Sequence, residues 1–184
     1  LFIVKCLGET GKTFTICRKT LPALKGTAYR DIIQLLKDLD LYSEENHNKS
    51  ELSYALNGNL IEFISVDQPQ KIRGRKRNYL WLNEANEFNY EDWQQLILRT
   101  TEQIYLDYNP SDPYSWIYDK VLIRDDCTFI KSTYKANPFL DEDTIAEIER
   151  LKEIDPDYWR VYGMGEIGTI QTAIFRNFNL VDDV

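Results

Sequence analysis

Short apolar runs alternate with amphipathic segments along most of this chain. Runs rich in β-branched and aromatic residues predict strands at residues 13–18, 79–85, 103–110 and 127–134. Apolar positions at helical spacing predict helices at residues 27–42, 90–101, 115–123 and 142–154. Because strands that alternate with helices are typical of a sheet with parallel strands, we predict an α/β fold with a mostly parallel sheet flanked by helices.

Local signals fix several boundaries of these elements. Asn57 and Gly58 form a strong turn signal and predict a hairpin over residues 52–66. Asn89 and Asp141 each directly precede a helical stretch, where a short polar side chain can cap the first turn. These signals do not depend on the rest of the fold, so the turn and the two helix starts are expected at these positions.

Residues 8–13 read GETGKT, which ends like the phosphate-binding loop pattern G-x-x-x-x-G-K-[ST]. In such a loop, Lys12 would contact phosphate and the hydroxyl of Thr13 would hold Mg²⁺. The first glycine of the pattern would fall where the chain has Cys6. A phosphate loop also opens a helix, whereas residues 14–17 are β-branched and aromatic and predict a strand.

A second interpretation treats the same stretch as the end of a helix. Leu1, Val4 and Leu7 lie on one helical face, and Gly8 suits the position after a helix end. Residues 13–18 then form the next strand. The two interpretations differ in whether Lys12 and its neighbour can touch a nucleotide.

Composition and charge narrow the classes of function. The 184 residues are 43% hydrophobic, which is enough for one domain with a real core, and no apolar run is long enough to span a membrane. The net charge of −8 gives no overall attraction to DNA, so any such contact must come from a local patch such as the basic residues 71–77. His47 is the only histidine, and Cys6, Cys17 and Cys127 lack metal-like spacing, which argues against a histidine-based triad or a zinc site.

Candidate chemistry follows two of the predicted strands, because ligands of open α/β sheets bind at the carboxyl ends of strands. The stretch YLWL ends in Asn83 and Glu84, as in a Walker B motif, where the first residue helps hold Mg²⁺ and the Glu orients the attacking water. The usual first residue is Asp. The next strand ends in Asn109, which could lie beside a terminal phosphate. The alternatives are a strand leading into a capped turn and an ordinary Asn-Pro turn.

Five segments in order extend this interpretation: ICRKTLPALKGTAYRD, NGNLIEFISVDQPQKIRGRKRNYLWLNEANEF, IYLDYNP, STYKANPFLDE and YWRVYGMGEIG. Together they resemble the ATPase domain of the tailed-phage terminase large subunit, over nearly all of residues 10–178. The resemblance implies a P-loop motor of the ASCE type, which pumps viral DNA into a preformed capsid. A nuclease domain follows this domain in the family.

The resemblance also implies roles for individual residues. It places the Walker B pair at Asn83, on the Mg²⁺ side, and Glu84, the catalytic carboxylate. It places the coupling motif near residues 107–110, beginning with Asp107 and with Asn109 as the sensor.

A loop arginine acts in some family members as a finger on the nucleotide of the neighbouring subunit. Arg73 is the best match to it and Arg75 the next. A contact between this basic loop and the DNA backbone is the competing functional interpretation, and a solvated loop is the simplest one.

Cofactors, partners and boundaries also follow from the resemblance. It implies ATP and Mg²⁺, double-stranded DNA, a portal protein, a small terminase subunit, a homo-oligomeric ring, the host cytoplasm and no membrane. Residues 1–178 would be a partial ATPase domain, incomplete at its N-terminus because the phosphate loop would lie upstream of Leu1. Residues 179–184 would begin the linker to the nuclease domain.

Two other functions stay open at this point. The chain could be a non-catalytic remnant of the same fold that cannot bind ATP. It could also be a metal-dependent nuclease built on Asp67, Glu84 and Asp107, which would require these carboxylates within about 4 Å of two metal ions.

Overall fold

The computed structural model describes residues 1–67 and 76–168. The chain divides into two compact units, the first spanning Leu1–Tyr108 and the second beginning at Asn109. The predicted linker at residues 179–184 lies outside the described residues. None of the described helices has the length and apolar character that a membrane crossing requires.

The described residues of the first unit form a six-stranded sheet with the order β2-β3-β4-β1-β5-β6. The strands are β1 (Thr13–Arg18), β2 (His47–Asn48), β3 (Ser53–Leu56), β4 (Asn59–Ser65), β5 (Arg77–Leu82) and β6 (Thr100–Leu106). β1 is parallel to β4 and β5, and β5 is parallel to β6, whereas β2 and β3 add to the β4 edge in antiparallel fashion. This architecture confirms the mostly parallel sheet flanked by helices.

The hairpin predicted at residues 52–66 is present as β3 and β4. Both turn residues have positive φ, 52° at Asn57 and 72° at Gly58, as a two-residue turn of the I′ type requires. Asn57 also donates to the carbonyl oxygens of Leu7 and Glu9, at 2.9 and 3.1 Å. The hairpin therefore holds the segment that leads into β1.

A continuous helical segment follows β1: α2 (Leu21–Leu24), a π-helical turn (Lys25–Tyr29) and α3 (Arg30–Asp38). It starts earlier than the predicted helix at residues 27–42, because Thr20 caps it and Pro22 fits its first turn, where a missing N–H costs nothing. It also ends earlier, because Asp40 adopts a positive φ of 56°. The apolar residues beyond that point pack outside the helix.

The helix predicted before β1 is present as α1 (Phe2–Gly8), but its apolar triplet does not face the core. Leu1, Val4 and Leu7 are exposed, and the buried residues of α1 are Phe2, Ile3 and Cys6. The ring of Phe2 meets the ring of Phe14 edge-on, with centroids 5.2 Å apart. Aromatic packing with the sheet thus decides which side of α1 is buried.

α1, α2 and α3 pack against one face of the sheet. The core between them contains the buried residues Phe14, Ile16, Leu24, Ile32, Leu36, Tyr54, Ile61, Phe63 and Tyr79. Burial of this many large apolar side chains is the main force that holds the helical layer on the strands.

α4 (Tyr90–Ile97) connects β5 to β6 and starts where the sequence predicts. Asn89 and Asp92 form a capping box, in which each side chain accepts from the backbone N–H of the other residue. The helix ends four residues before the predicted residue 101, because Thr100 already belongs to β6.

The second unit is built on α5 (Glu142–Ile154), α6 (Pro156–Tyr158) and π-helical turns at Tyr118–Leu122 and Trp159–Gly163. Asp141 caps α5 as predicted and accepts from the N–H of Thr144 at 2.7 Å. The predicted helix at residues 115–123 corresponds to the first π-helical turn.

The strand predicted at residues 127–134 is wrong. Residues 127–133 have no regular structure, and a short 3₁₀ turn follows at Tyr134–Ala136. Phe129 and Ile130, the residues that suggested a strand, are 57% and 81% exposed. A strand requires a neighbour to complete its hydrogen bonds, and the described residues of this unit contain none.

Candidate functional site

Polar side chains converge where the parallel strands end. The register places Leu82 beside Leu106, so the next residue of each strand segment, Asn83 and Asp107, leaves the sheet at the same level. Arg18 ends β1, which is the neighbour of β5 on its other side. The sheet therefore brings an amide, a carboxylate and a guanidinium from three adjacent strands to one edge, which we call the carboxyl edge.

Asp107 is the centre of this cluster. Its Oδ1 accepts from Nδ2 of Asn83 at 2.9 Å and from the backbone N–H of Glu84 at 3.1 Å. Its Oδ2 accepts from the indole N–H of Trp81. Three of the roughly four acceptor positions of the carboxylate are thus used within the protein, which fixes its orientation.

Glu84 has an unusual backbone conformation. Its φ and ψ are 55° and 60°, in the left-handed region that residues with a Cβ occupy at a cost of about 1–2 kcal/mol. The hydrogen bond from its N–H to Asp107 helps hold this conformation, and a short 3₁₀ turn, Ala85–Glu87, follows directly. Strained residues of this kind cluster at active sites.

Arg18 links the carboxyl edge to the helical layer. One guanidinium nitrogen donates to Oγ1 of Thr27 at 2.9 Å and to Oδ1 of Asn83 at 3.1 Å, and the other donates to Glu87 at 3.0 Å. Thr27 lies in the π-helical turn between α2 and α3. The side chain of Arg18 is 11% exposed, whereas that of Glu87 is 40% exposed, so the guanidinium is largely shielded from solvent and its acidic partner is not.

The amino end of α1 is directed toward the same edge. Phe2, its first residue, packs on the rings of Trp81 and Tyr105, with centroids 6.0 and 5.8 Å apart. Glu9, just after the other end, accepts from the hydroxyl of Tyr79, which lies earlier in β5. α1 therefore runs opposite to the parallel strands.

Lys12 directly precedes β1, and Thr13 is its first residue. Both therefore lie at the amino ends of the parallel strands, whereas Asn83 lies at the carboxyl edge. The ammonium group of Lys12 donates to Glu102, and this contact is the main reason that the pKa of Glu102 is lowered to about 2. The backbone N–H of Thr13 donates to Oδ1 of Asn78 at 2.9 Å. A strand follows GETGKT, as the second interpretation predicted, and the structure does not bring these two residues to the carboxyl edge.

The other predicted site residues lie elsewhere. Arg73 and Arg75 are outside the described residues, and Asn109 is the first residue of the second unit. Asp67 accepts from the backbone N–H of Leu21 at 3.0 Å, at the start of α2. No three or more His, Cys, Asp or Glu residues within residues 1–67 and 76–168 form a group that could hold a metal ion, so the cluster that the nuclease alternative needs is not seen there.

The sequence prediction named Asn83, Glu84 and Asp107, which the structure brings together, and did not name their neighbours Arg18 and Trp81. The available signal for Arg18 was a charged residue at the end of an otherwise uncharged strand. Its contact with Asn83 joins residues 65 positions apart, and only the sheet order brings them together. Trp81 gave no signal, because an aromatic residue within a strand is most often part of a core.

A family model described as phage terminase large subunit matches residues 1–166. The chain belongs to this family. The curated relatives include the PBSX phage terminase large subunit of Bacillus subtilis (strain 168), which is 23% identical over 207 residues. That alignment covers 97% of this chain and 48% of the relative. The terminase large subunit of Bacillus phage SPP1 is also 23% identical, with 94% of this chain and 46% of the relative covered.

Solved structures of terminases have the same fold. The large terminase of a thermophilic bacteriophage matches with a TM-score of 0.76 and 16% identity, covering 90% of this chain and 43% of that one. The large terminase ATPase domain of Thermus phage P74-26 matches with a TM-score of 0.54 and 13% identity, covering 90% and 80%. This terminase chain thus spans about half the length of the curated relatives that it matches.

Proposed function

We propose that this chain is the ATPase part of a terminase large subunit, and that Glu84 is its catalytic carboxylate. The observation that carries this proposal is the strained backbone of Glu84, held by Asp107 at the carboxyl edge of a parallel sheet. Ligands of open α/β sheets bind at that edge. Family membership supports a role in the motor that packages phage DNA.

In this proposal, the carboxylate of Glu84 accepts a hydrogen bond from the water that attacks the terminal phosphate of ATP. The left-handed backbone turns the chain sharply at the end of β5. A rigid carboxylate gains rate mainly through orientation, because phosphoryl transfer depends on positioning and on electrostatic stabilisation.

The donor set at the edge fits Mg²⁺ that is held through its water ligands. Oδ1 of Asn83 accepts one hydrogen bond, from Arg18, and so keeps a second acceptor position. Asp107 likewise keeps about one of its four acceptor positions. Mg²⁺ retains several waters and favours such contacts, and when bound it would neutralise charge on the phosphates. Asp107 supplies the negative charge that Asn83 lacks relative to the usual Asp.

Nucleotide binding is supported by the relatives. The large terminase of the same thermophilic bacteriophage has been solved in complex with ADP and with ATP-γ-S, and both structures share this fold with TM-scores of 0.74 and 0.71. We propose that the phosphates bind at the carboxyl edge, rather than at Lys12 and Thr13.

The remaining roles belong to the complete motor. Asn109 would sense the terminal phosphate, and Arg73, or else Arg75, would act on the nucleotide of a neighbouring subunit in a homo-oligomeric ring. Double-stranded DNA, a portal protein and a small terminase subunit would be the partners, in the host cytoplasm. Family membership is the support for each of these roles.

The test is the Glu84→Gln variant of the complete protein. Because the amide keeps the shape of the side chain but cannot polarise water as a carboxylate does, hydrolysis should fall by at least about 100-fold while ATP still binds. Steady-state hydrolysis and calorimetry with ATP and Mg²⁺ measure the two properties. Glu91→Gln, at an exposed position in α4, is the matched control and should retain activity.

Two results would contradict the proposal. Normal turnover in Glu84→Gln would remove the catalytic role of this carboxylate. Loss of ATP binding in Lys12→Ala would return the phosphate site to GETGKT, at the amino end of β1.

A further inference from the structure

The Arg18 guanidinium connects three parts of the first unit that are distant in sequence. It contacts Thr27 in the π-helical turn, Asn83 at the end of β5 and Glu87 in the following 3₁₀ turn, at 2.9 to 3.1 Å. None of the roles assigned above uses this group. Its position suggests that it controls how the carboxyl edge is oriented.

We propose that Arg18 is a positioning residue for hydrolysis, acting on Glu84 through Asn83 and Asp107. This inference rests on the function proposed above. Arg18 orients the amide of Asn83, the amide orients the carboxylate of Asp107, and that carboxylate holds the backbone N–H of Glu84.

The first step follows from the donor and acceptor properties of the groups. A guanidinium can only donate hydrogen bonds and an ionised carboxylate can only accept them. The amide of Asn83 lies between Arg18 and Asp107, so its oxygen must face the guanidinium and its nitrogen the carboxylate. Without the guanidinium, the amide oxygen loses its donor and the side chain can rotate away from Asp107.

The second step concerns the shared acceptor. Oδ1 of Asp107 receives both the Asn83 amide at 2.9 Å and the Glu84 N–H at 3.1 Å. If the amide no longer held this oxygen, the carboxylate could shift. The strained backbone of Glu84 would then lose a contact that opposes its relaxation. A shift of about 1 Å in a catalytic group can cost about 100-fold in rate.

One buried donor of Arg18, its Nε atom, has no hydrogen-bond partner among the described residues. An unsatisfied buried donor costs about 1–3 kcal/mol. Residues that keep such a cost often serve orientation at a functional site.

The experiment is a double-mutant cycle in the complete protein, with Arg18→Gln and Asn83→Ala made singly and together. Arg18→Gln alone should lower kcat by about 10–100-fold, the range typical for supporting contacts around a catalytic site, with little change in KM for ATP. In the Asn83→Ala background, the same change should lower kcat by less than about threefold, because residues that act through one another are not additive.

Two further variants keep the test decisive if Arg18→Gln does not fold. Thr27→Val removes one hydrogen bond of the guanidinium, and Glu87→Gln weakens another by removing the negative charge of its acceptor, and neither variant removes the cation. Both should lower kcat in the same direction and by a smaller factor. Arg30→Gln is the matched control, because Arg30 is exposed on α3 and its charge contacts only the exposed Asp31 among the described residues. It should leave kcat unchanged.

The outcomes separate this inference from the function on which it rests. If the wild-type protein hydrolyses ATP but the effects of Arg18→Gln and Asn83→Ala on kcat multiply, Arg18 does not act through Asn83. If Arg18→Gln lowers only the melting temperature and not kcat, Arg18 is structural. If the wild-type complete protein does not hydrolyse ATP, the proposed function itself is wrong.

Discussion

Glu84, which we propose as the catalytic carboxylate, has a backbone conformation that a residue with a Cβ adopts at a cost. The three other non-glycine residues with positive φ in the described chain are Asp40, Leu52 and Asn57, and each lies at a turn or a strand boundary. Glu84 also lies in a turn, two residues after the end of β5, but it differs from these three because its N–H donates to the carboxylate of Asp107. A strained backbone at this position indicates that the orientation of Glu84 has been favoured over the stability of the fold.

Relieving this strain should increase stability and abolish activity. Glycine adopts positive φ without a steric penalty, so Glu84→Gly should raise the free energy of unfolding by about 1 kcal/mol. Glu84→Ala, which removes the carboxylate but keeps the Cβ, should not produce this gain. Chemical denaturation of both variants, followed by their rates of ATP hydrolysis, gives the comparison. Equal stabilities of the glycine and alanine variants would show that the backbone of Glu84 is not strained.

The elements show how far the sequence alone could lead. Residue types within short segments were enough to predict the turn at Asn57, whose φ is positive as the pattern requires. They were also enough to predict the helix starts after Asn89 and Asp141. Local chemistry failed at residues 127–134, where β-branched and aromatic residues suggested a strand that has no neighbour. It also misplaced the end of the helix at residues 27–42, because a single positive φ at Asp40 ends it.

The same distinction applies to the candidate site. Asn83 and Glu84 were predictable because an apolar run followed by polar residues marks a strand end. Asp107 was named from the family pattern, but its bonds to Asn83 and Glu84 depend on the parallel register of β5 and β6. The role of Arg18 could not be read from the sequence, since it depends on β1 lying beside β5. The order and register of the strands in the sheet, which residue types along the chain do not reveal, were the missing information.

The capping box of α4 should contribute measurably to stability. Asn89 accepts from the N–H of Asp92 at 2.8 Å and its own N–H donates back to Asp92 at 3.1 Å. Asp92 also accepts from Lys19 at 2.6 Å, so the box connects α4 to the segment after β1. Asn89→Ala should lower the free energy of unfolding by about 1 kcal/mol, as loss of an N-cap typically does.

Urea denaturation measures this loss, and Asn89→Asp is the matched control because aspartate caps equally well. Asn89→Asp should therefore stay close to the wild type. A loss of similar size in both variants would mean that the amide, rather than the cap, is the stabilising feature.

At the scale of the whole molecule, ionisable groups whose pKa changes on folding determine how the free energy of unfolding depends on pH. Lys12, with a smaller contribution from Asn78, holds Glu102 in its ionised form, with a pKa of about 2 against an ordinary value of 4.5. A carboxylate with a lowered native pKa stabilises the fold above the unfolded pKa, and this stabilisation disappears as the pH falls through the native pKa. The Glu102 contribution is therefore complete above about pH 4.5 and is lost between pH 4.5 and 2.

His47 affects the stability of the fold at a higher pH than Glu102 does. Its two ring nitrogens contact the hydroxyl groups of Tyr29 and Tyr42, each at 2.8 Å, which ties β2 to the helical layer. Burial is the main cause that lowers the pKa of His47 below 6.5, and Lys49 adds to it while Glu44 opposes it. Because the native protein binds this proton less readily than the unfolded chain, its stability falls as the pH drops below about 6.5.

These two groups predict an acid response in two separate steps. The free energy of unfolding should begin to fall below about pH 6.5, through His47, and fall again below about pH 4.5, through Glu102. His47→Gln should lose the first step and keep the second. Glu102→Gln should keep the first step and make the second smaller, because other carboxylates with lowered pKa values, Glu9, Glu44, Asp126 and Asp141, also contribute to it. Urea denaturation at closely spaced pH values between 7 and 3 resolves the steps. If both variants keep the wild-type pH profile, neither contact contributes to the acid response and the pH dependence arises from the other carboxylates.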